Sequence, residues 1–374
     1  MSDLAFPACA AAAAAQLPIA SYFDPLCFEQ EQRRLFADAP YYYGHRLMVP
    51  NDGDYHTLDW LGHGKMLRRV GDEVMLLSNV CRHRQATIYQ GRGNGNTIVC
   101  NLHGWTYDKQ GQLLGAPHFP ETPCLNLERT PLVDWNGLLF DARRDVARDL
   151  ARLGVARHID FSDYAYHSTQ STDYAFNWKT FIEVYSEDYH VDPFHPGLGQ
   201  FVDCGDLRWE WGEQYHVQTV GVKNRLARPG SRVYGEWHAE VLRRFGERMP
   251  DFGAIWLSYY PNVMVECYPH SLVISIVIPR TAESCTVVTE FYYPEEVVYF
   301  EPEFAQAEQA AYFETAREDD EICLRMHQGR KALWQAGLSE YGPYQSPTED
   351  GMRHFHEYYR REMGWPTAQG AGAR

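Results

Sequence analysis

Two short loops of this 374-residue chain each contain one cysteine and one histidine at a spacing that suits metal binding. Cys81 and His83 lie in the first loop, and Cys100 and His103 lie in the second. A structural zinc site usually takes two cysteines from one loop and two histidines or cysteines from the other. Because each loop here offers a mixed pair, we predict a two-metal cluster in which both cysteines bind one metal and both histidines bind the other.

The iron–sulfur cluster with this ligand set is the Rieske [2Fe–2S] centre. Histidine in place of thiolate lowers the negative charge at the outer iron and raises the reduction potential. The segment HGWTYDKQG, which begins at His103, looks like the second loop of a Rieske domain running into a hairpin. The alternatives are a zinc site and a chance grouping of core residues.

A second group of possible metal ligands lies in the segment EDYHVDPFH. Glu187 lies three residues before His190, so the two share one face of a helix. His190 and His195 are five residues apart, about 140° around a regular helix, and they would diverge unless the helix broke. Pro193 and Pro196 make such a break expected. Two histidines and one carboxylate form the facial triad of non-haem Fe(II) oxygenases. The alternative is a pair of partly buried, hydrogen-bonded histidines.

The acidic run at residues 318–321 is the best source of that carboxylate. Its ordinary interpretation is a solvated stretch of charge. However, an apolar stripe begins at Ile322, and Asp319 lies near that stripe, whereas Asp320 is turned about 100° away from it. We therefore expect Asp319 to be the ligand and keep Asp320 as the alternative.

The composition limits the classes of partner. A net charge of −16 argues against binding to nucleic acid or to an anionic membrane surface, because both reward clustered Lys and Arg. Runs of apolar residues are too short for a transmembrane helix, and the N-terminal alanine run lacks the features of a signal peptide. Nine scattered cysteines do not suggest a disulfide framework, so we expect reduced thiols in a cytoplasmic protein.

Hydrophobic periodicity and turn residues predict an α+β fold with two domains. Residues 1–40 are expected to form a tail and a helix. Residues 41–148 are expected to form a small all-β Rieske domain, with RLMVP as one of its strands. Residues 149–374 are expected to form a catalytic mononuclear iron domain, in which helices flank an antiparallel sheet. The substrate pocket is expected to take its walls from residues 209–215 and 255–267 and from Tyr312.

Taken together, these motifs resemble the catalytic α subunit of Rieske non-haem iron ring-hydroxylating oxygenases over nearly the whole chain. The resemblance implies that His190, His195 and Asp319 bind mononuclear iron. It also implies a homotrimer in which the residue at position 187 links that iron to the Rieske cluster of a neighbouring subunit. The common residue there is Asp, and Glu187 is more similar to the choline- and carnitine-type oxygenases.

By that resemblance, the chain hydroxylates or demethylates a small organic substrate with O2. Its electrons come from a separate NAD(P)H-dependent reductase, with or without a ferredoxin, and the chain itself has no dinucleotide-binding motif. We favour an aromatic substrate, although the many aromatic residues suit a cation-binding cage equally well. The alternatives are a quaternary-ammonium monooxygenase and a Rieske electron-transfer protein without oxygenase activity.

Overall fold

The computed structural model describes residues 16–246 and 248–366, and the chain forms two compact units. The smaller unit consists of residues 40–148, and the larger unit contains the segments on either side of it. Residues 16–39 therefore belong to the larger unit and are not a separate N-terminal element. The alanine run of the predicted tail lies outside the described residues. No described helix is both long and apolar enough to cross a lipid bilayer.

The N-terminal segment folds because it buries apolar side chains in the core of the larger unit. Helices α1 (Ala20–Phe23) and α2 (Pro25–Glu31) are followed by a π-helical turn (Gln32–Phe36). Asp24 caps α2 by accepting a hydrogen bond from the backbone N–H of Leu26 at 2.9 Å, and Pro25 occupies the first helical position, where its missing N–H costs nothing. Leu17 and Tyr22 are buried in the same apolar cluster as the C-terminal part of the chain.

The smaller unit is built from short antiparallel strands in three sheets. The sheet orders are β1-β11-β10, β5-β2-β3-β4-β9 and β6-β7-β8. The segment RLMVP, which we predicted to be a strand, instead begins with a 3-10 helix at Arg46–Met48, where the His45 ring accepts a hydrogen bond from the backbone N–H of Leu47 at 3.2 Å. The strands are β1 (Tyr42–His45), β2 (Asp54–Thr57), β3 (Lys65–Val70), β4 (Glu73–Ser78), β5 (Arg92–Asn94), β6 (Ile98–Val99), β7 (Thr106–Tyr107), β8 (Leu113–Gly115), β9 (Arg129–Thr130), β10 (Leu132–Trp135) and β11 (Leu138–Asp141).

The larger unit contains one seven-stranded antiparallel sheet with helices, so the predicted α+β fold is confirmed. The strand order is β12-β18-β17-β16-β15-β14-β13. A short helix, α3 (Val146–Asp149), precedes the first strand of this sheet in the chain. The strands and the remaining α-helices are β12 (Tyr164–Tyr174), α4 (Trp178–Tyr185), α5 (Val191–Phe194), α6 (Leu198–Phe201), β13 (Val202–Trp211), β14 (Tyr215–Val222), α7 (Arg232–Phe245), β15 (Ala254–Tyr259), β16 (Val263–Tyr268), β17 (Ser271–Thr281), β18 (Ser284–Pro294), α8 (Glu295–Phe300), α9 (Pro302–Gln335) and α10 (Asp350–Met363). Two 3-10 helices, Gly154–His158 and Lys223–Leu226, lie between them.

A buried ion pair fixes α4, the helix that leads into the histidine segment. Lys179 Nζ lies 2.5 Å from Glu31 Oε1, and both side chains are fully buried. Glu31 also accepts hydrogen bonds from Trp178 Nε1 at 2.9 Å and from the Tyr359 hydroxyl at 2.6 Å. Because a buried charge is tolerable only when it is paired and hydrogen-bonded, these contacts tie α2, α4 and α10 together.

We expect Lys179→Met to destabilise the larger unit by about 3–5 kcal/mol, because the variant leaves the Glu31 carboxylate buried without its cation. The measurement is the midpoint of urea unfolding followed by tryptophan fluorescence. Arg33→Gln is the matched control, since Arg33 pairs with Glu29 at the surface, with side chains 72% and 54% exposed, and such pairs contribute under about 1 kcal/mol. Equal shifts for the two variants would show that the buried pair has no special role.

Candidate metal centres

The cysteine–histidine loops are two tight turns of the smaller unit, each closed by backbone hydrogen bonds. In the first, the N–H of Cys81 donates to Ala86 O at 2.9 Å and the N–H of Gln85 donates to Cys81 O at 3.1 Å. In the second, the N–H of Cys100 donates to Trp105 O at 2.9 Å and the N–H of Gly104 donates to Cys100 O at 2.9 Å. The two turns are therefore held by the same pattern of cross-loop bonds.

The sulfurs of these turns are buried and lie close to hydrogen-bond donors. Cys81 and Cys100 are each 2% exposed. Burial raises the pKa of the Cys100 thiol, whereas the backbone N–H groups of Leu102 and His103 lower it. The Tyr107 hydroxyl lies 3.5 Å from the Cys81 sulfur. A buried thiolate therefore needs a cation, and a metal would provide one.

The two imidazoles of the turns also lie together. The ring centroids of His83 and His103 are 4.7 Å apart, and His83 stacks on Trp105 at 5.0 Å with an interplanar angle of 4°. His83 Nδ1 is buried and has no hydrogen-bond partner among the described residues. Since buried polar atoms are rarely left without a partner, this orphaned nitrogen fits a metal ligand. The donor set of two sulfurs and two imidazoles thus suits a Rieske cluster.

A second group of ligand atoms converges in the larger unit. His190, His195 and Asp319 offer ligand atoms that all lie within 4.8 Å of one another. The two Nε2 atoms are 3.1 Å apart, and Asp319 Oδ1 lies 3.0 Å from His195 Nε2 and 3.4 Å from His190 Nε2. Asp319 Oδ1 nevertheless lacks a partner with hydrogen-bond geometry in the described part of the chain. Three ligand atoms that face one point, two histidines and one carboxylate, suit a non-haem iron site.

The histidines converge because the chain is not a regular helix between them. Helix α4 begins at an Asn177 cap, whose side chain accepts from the N–H of Lys179 at 2.9 Å, and it ends at Tyr185. His190 precedes the single turn of α5, and His195 follows it with an extended ψ of 93°. The break therefore removes the divergence of about 140° that a regular helix imposes.

Each histidine also contacts a glutamate through its other ring nitrogen. Glu187 is hydrogen-bonded to His190 Nδ1, and Glu318 Oε2 lies 2.7 Å from His195 Nδ1. Burial lowers the pKa of His190, but the Asp319 and Glu187 carboxylates outweigh it and raise the pKa to about 10. A metal must therefore displace a proton from His190. The contact of Glu318 with His195 was not predicted from the sequence.

The structure separates the two adjacent aspartates. Asp319 faces the histidines, whereas Asp320 accepts a hydrogen bond from the Tyr174 hydroxyl at 3.0 Å. This is the roughly 100° difference in direction that successive helical residues have. The geometry thus favours Asp319 as the third ligand.

A cavity of about 90 Å³ lies beside this group, which is room for several water molecules or one small ligand. The expected wall residues Trp256, Glu266 and Tyr312 line it, but residues 209–215 are not among its walls. Trp209 instead stacks on Trp211 with ring centroids 4.9 Å apart. The full set of lining residues is Phe181, Val184, Tyr185, Glu187, Asp188, His190, Val191, His195, Leu198, Tyr234, Trp237, Trp256, Glu266, Tyr268, Glu308, Tyr312, Thr315, Ala316 and Asp319.

Two lining carboxylates, Glu266 and Glu308, are 2% and 1% exposed. Burial is the main cause that raises the pKa of each to about 7. Glu308 accepts hydrogen bonds from the Ser271 and Tyr293 hydroxyls. Sequence reasoning missed Glu308, because a glutamate in a helix rich in Glu, Gln and Ala reads as a surface residue.

Comparison with known proteins identifies the family. A sequence model of the ring-hydroxylating α subunit (catalytic domain) matches residues 161–365, and a model of the Rieske [2Fe-2S] domain matches residues 40–126. A putrescine 2-hydroxylase of Ralstonia nicotianae is 58% identical over 350 residues, which are 94% of this chain and 96% of that protein. A putrescine 2-hydroxylase of Bordetella bronchiseptica is 51% identical over 97% of this chain and 88% of that protein.

The fold is shared with a solved quaternary ammonium Rieske monooxygenase in complex with an inhibitor. The TM-score is 0.76 at 18% identity, with 95% of this chain and 97% of that chain covered. The chain therefore belongs to the family of Rieske non-haem iron oxygenases, as a catalytic α subunit. It is the terminal oxygenase of its system, an oxidoreductase whose cofactors are a Rieske [2Fe-2S] cluster and a mononuclear iron. Such oxygenases use O2 and a separate reductase.

We expect the two metal centres to be separable by mutation, because their candidate ligands share no residue. Cys100→Ser should abolish the Rieske EPR signal, while His195→Ala should remove the iron not accounted for by the cluster and leave that signal intact. EPR and metal analysis of the purified variants measure both. Cys124→Ser changes an exposed free thiol and is the control for the loss of a cysteine. A normal Rieske spectrum in Cys100→Ser would refute the cluster ligands.

The same metal analysis shows whether Asp319 or Asp320 is the third ligand of the mononuclear iron. Asp319→Ala should lose the mononuclear iron like His195→Ala, whereas Asp320→Ala, which removes the hydrogen bond with Tyr174, should retain it. The reverse result would move the ligand by one residue.

Proposed function

We propose that this chain is the oxygenase component of a hydroxylase that acts on carbon 2 of 1,4-diaminobutane (putrescine). The observation that carries the proposal is the 58% identity, over nearly the full length of both proteins, to a putrescine 2-hydroxylase. The proposal departs from the aromatic substrate that we favoured from the sequence. It also departs from the quaternary-ammonium alternative, since the solved quaternary ammonium monooxygenase is only 18% identical.

The charge of the cavity supports an amine substrate. Among the described residues, no lysine or arginine lines the cavity, whereas five carboxylates do. An aromatic hydrocarbon would leave the buried carboxylates of Asp188, Glu266 and Glu308 without a cation, which is costly. A diamine instead brings two cations with N–H donors, which a quaternary ammonium group lacks. The five carboxylates are Glu187, Asp188, Glu266, Glu308 and Asp319.

The proposed roles of the site residues follow from their geometry. The four cysteine and histidine residues of the turns would bind the cluster, and the two histidines and one aspartate of the larger unit would bind the iron. We further propose that residues 41–148 act as the electron-accepting domain and residues 149–374 as the catalytic domain of a homotrimer. The ligands are Cys81, His83, Cys100 and His103 for the cluster and His190, His195 and Asp319 for the iron.

The reaction is balanced as R–H + O2 + NAD(P)H + H⁺ → R–OH + H2O + NAD(P)⁺, with the reductase, alone or through a ferredoxin, as the source of both electrons. When bound, the cluster relays single electrons and the iron provides the place where O2 is reduced. Glu187 and Glu318 orient the two histidines through their Nδ1 atoms. Apolar lining residues such as Val184 and Leu198 exclude water, and the carboxylates orient the charged ends of the substrate.

The proposal is tested with the purified holoenzyme, a reductase and a panel of substrates. We expect O2 uptake and a hydroxylated product, identified by mass spectrometry, with 1,4-diaminobutane. Carnitine, choline and simple aromatic acids should give neither, because none of them has a primary ammonium group. Stoichiometric product from one of those compounds, and none from the diamine, would refute the proposed substrate.

We propose that Glu187 also links the mononuclear iron site to the cluster of a neighbouring subunit. Glu187→Gln should retain both metal centres but slow the oxidation of a pre-reduced cluster in a single turnover with O2 and substrate. The amide oxygen can still accept from His190 Nδ1, so the ring stays oriented. Loss of the reduced-cluster EPR signal with time measures the rate.

Glu318→Gln is the matched control, because it makes the same chemical change behind His195. It should also retain the iron, because the amide oxygen can still accept from His195 Nδ1, and it should not slow the oxidation of the cluster. Cluster oxidation at the wild-type rate in Glu187→Gln would reduce Glu187 to a residue that merely orients His190.

A further inference from the structure

Glu266 lies in the seven-stranded sheet, and its side chain lines the cavity. It lies on β16 two residues from Tyr268, so both face the same side of the sheet, and Trp256 lies directly opposite on β15. The Tyr312 hydroxyl donates to Glu266 Oε1 at 2.9 Å, and the Tyr268 hydroxyl donates to Glu266 Oε2 at 2.7 Å. Trp256 Nε1 in turn donates to the Tyr268 hydroxyl at 2.9 Å. The position of the carboxylate is therefore fixed before any ligand arrives.

Among the residues that the structure describes, no lysine, arginine or histidine donates a hydrogen bond to Glu266. Each donor that reaches it within the described residues is a neutral hydroxyl, the third being Ser275 at 3.5 Å. The nearby charges are also negative. The Asp319 carboxylate helps to raise the pKa of Glu266, and the Glu266 carboxylate helps to raise the pKa of Glu308. A buried carboxylate in such surroundings gains most from a ligand that carries a positive charge and N–H donors.

One face of α9 carries both Tyr312, which donates to Glu266, and the candidate metal ligand Asp319. Glu308, Tyr312, Thr315, Ala316 and Asp319 all line the cavity, at the spacing of one helical stripe. Tyr312, which holds Glu266, precedes Asp319 by seven residues, or about 10 Å along the axis. Glu308 lies about 6 Å farther away. Glu266 is thus the nearer of the two buried glutamates to the iron site.

We propose that Glu266 binds the ammonium group of the substrate that lies farther from the iron, and so determines which carbon is hydroxylated. The inference rests on the proposed function, because the ligand is the diamine. The anchored nitrogen of 1,4-diaminobutane is three covalent bonds from the carbon that receives the hydroxyl group. The rings of Tyr268, Tyr312 and Trp256 beside the carboxylate add the aromatic faces that favour an ammonium ion.

The first test measures the equilibrium binding of 1,4-diaminobutane to the holoenzyme by calorimetry at pH 8, without reductase. Glu266→Gln keeps the size of the side chain and removes its charge, and we expect at least about thirtyfold weaker binding. Glu303→Gln removes one charge from an exposed position on α9 and should bind like the wild type. Circular dichroism, the Rieske EPR signal and iron content verify that each variant is intact.

The second test uses only the wild type, so it holds even if Glu266→Gln fails to fold. If Glu266 holds the far ammonium group of 1,5-diaminopentane, the carbon three covalent bonds from that nitrogen is carbon 3, and this carbon lies at the iron. We therefore expect the 3-hydroxy product, identified by NMR. If the near ammonium were held instead, the product would be hydroxylated at carbon 2.

The outcomes separate the two proposals. Unchanged affinity in Glu266→Gln, a larger loss in Glu308→Gln than in Glu266→Gln, or hydroxylation of the longer diamine at carbon 2 would overturn the role of Glu266 while the diamine activity stands. A wild-type enzyme that neither binds nor hydroxylates 1,4-diaminobutane would overturn the proposed function, and the inference with it.

Discussion

The geometry of the larger unit depends on one interruption of regular structure, the break in the helix after Tyr185. A continuous helix would point His190 and His195 in different directions, and no carboxylate on α9 could then reach both. The break is tolerated because α4 is fixed on its buried side, where Lys179 and Glu31 form a fully buried ion pair. Precise placement of the ligand atoms in an irregular segment thus derives from the rigidity of the regular helix before it.

Much of this arrangement could be predicted from the sequence, because the relevant signals are local. The paired cysteine–histidine loops, the segment from Glu187 to His195 and the long helix α9 are all recognisable from spacing and periodicity. The strands β12 and β13 are harder to recognise from the sequence because they are the edges of the sheet. No residue of β12 is buried, and only Val202 is buried in β13. Edge strands lack the apolar pattern by which central strands are recognised.

The cavity was harder to predict than the metal ligands, because its polar groups are non-local. Glu266 belongs to a strand whose other residues are almost all apolar, and its meaning depends on Tyr312, which is 46 residues away. Glu308 depends in the same way on Tyr293 and Ser271. Single-sequence patterns carry no information on which distant hydroxyl faces a buried carboxylate. The expected wall at residues 209–215 was wrong for the same reason.

The larger unit is discontinuous in the chain, and this bears on how the protein is made. Glu31 accepts a hydrogen bond from Tyr359, 328 residues later, and Arg34 donates to the backbone oxygen of Met363. At about 5–20 residues per second, the ribosome needs tens of seconds to supply those partners. During that time residues 40–148 are complete and free to fold. The N-terminal helices, including Glu31, still lack their partners in the C-terminal helix. Vectorial synthesis therefore makes the smaller unit a natural first folding event and leaves the nascent N-terminus exposed to chaperones until the last helix emerges.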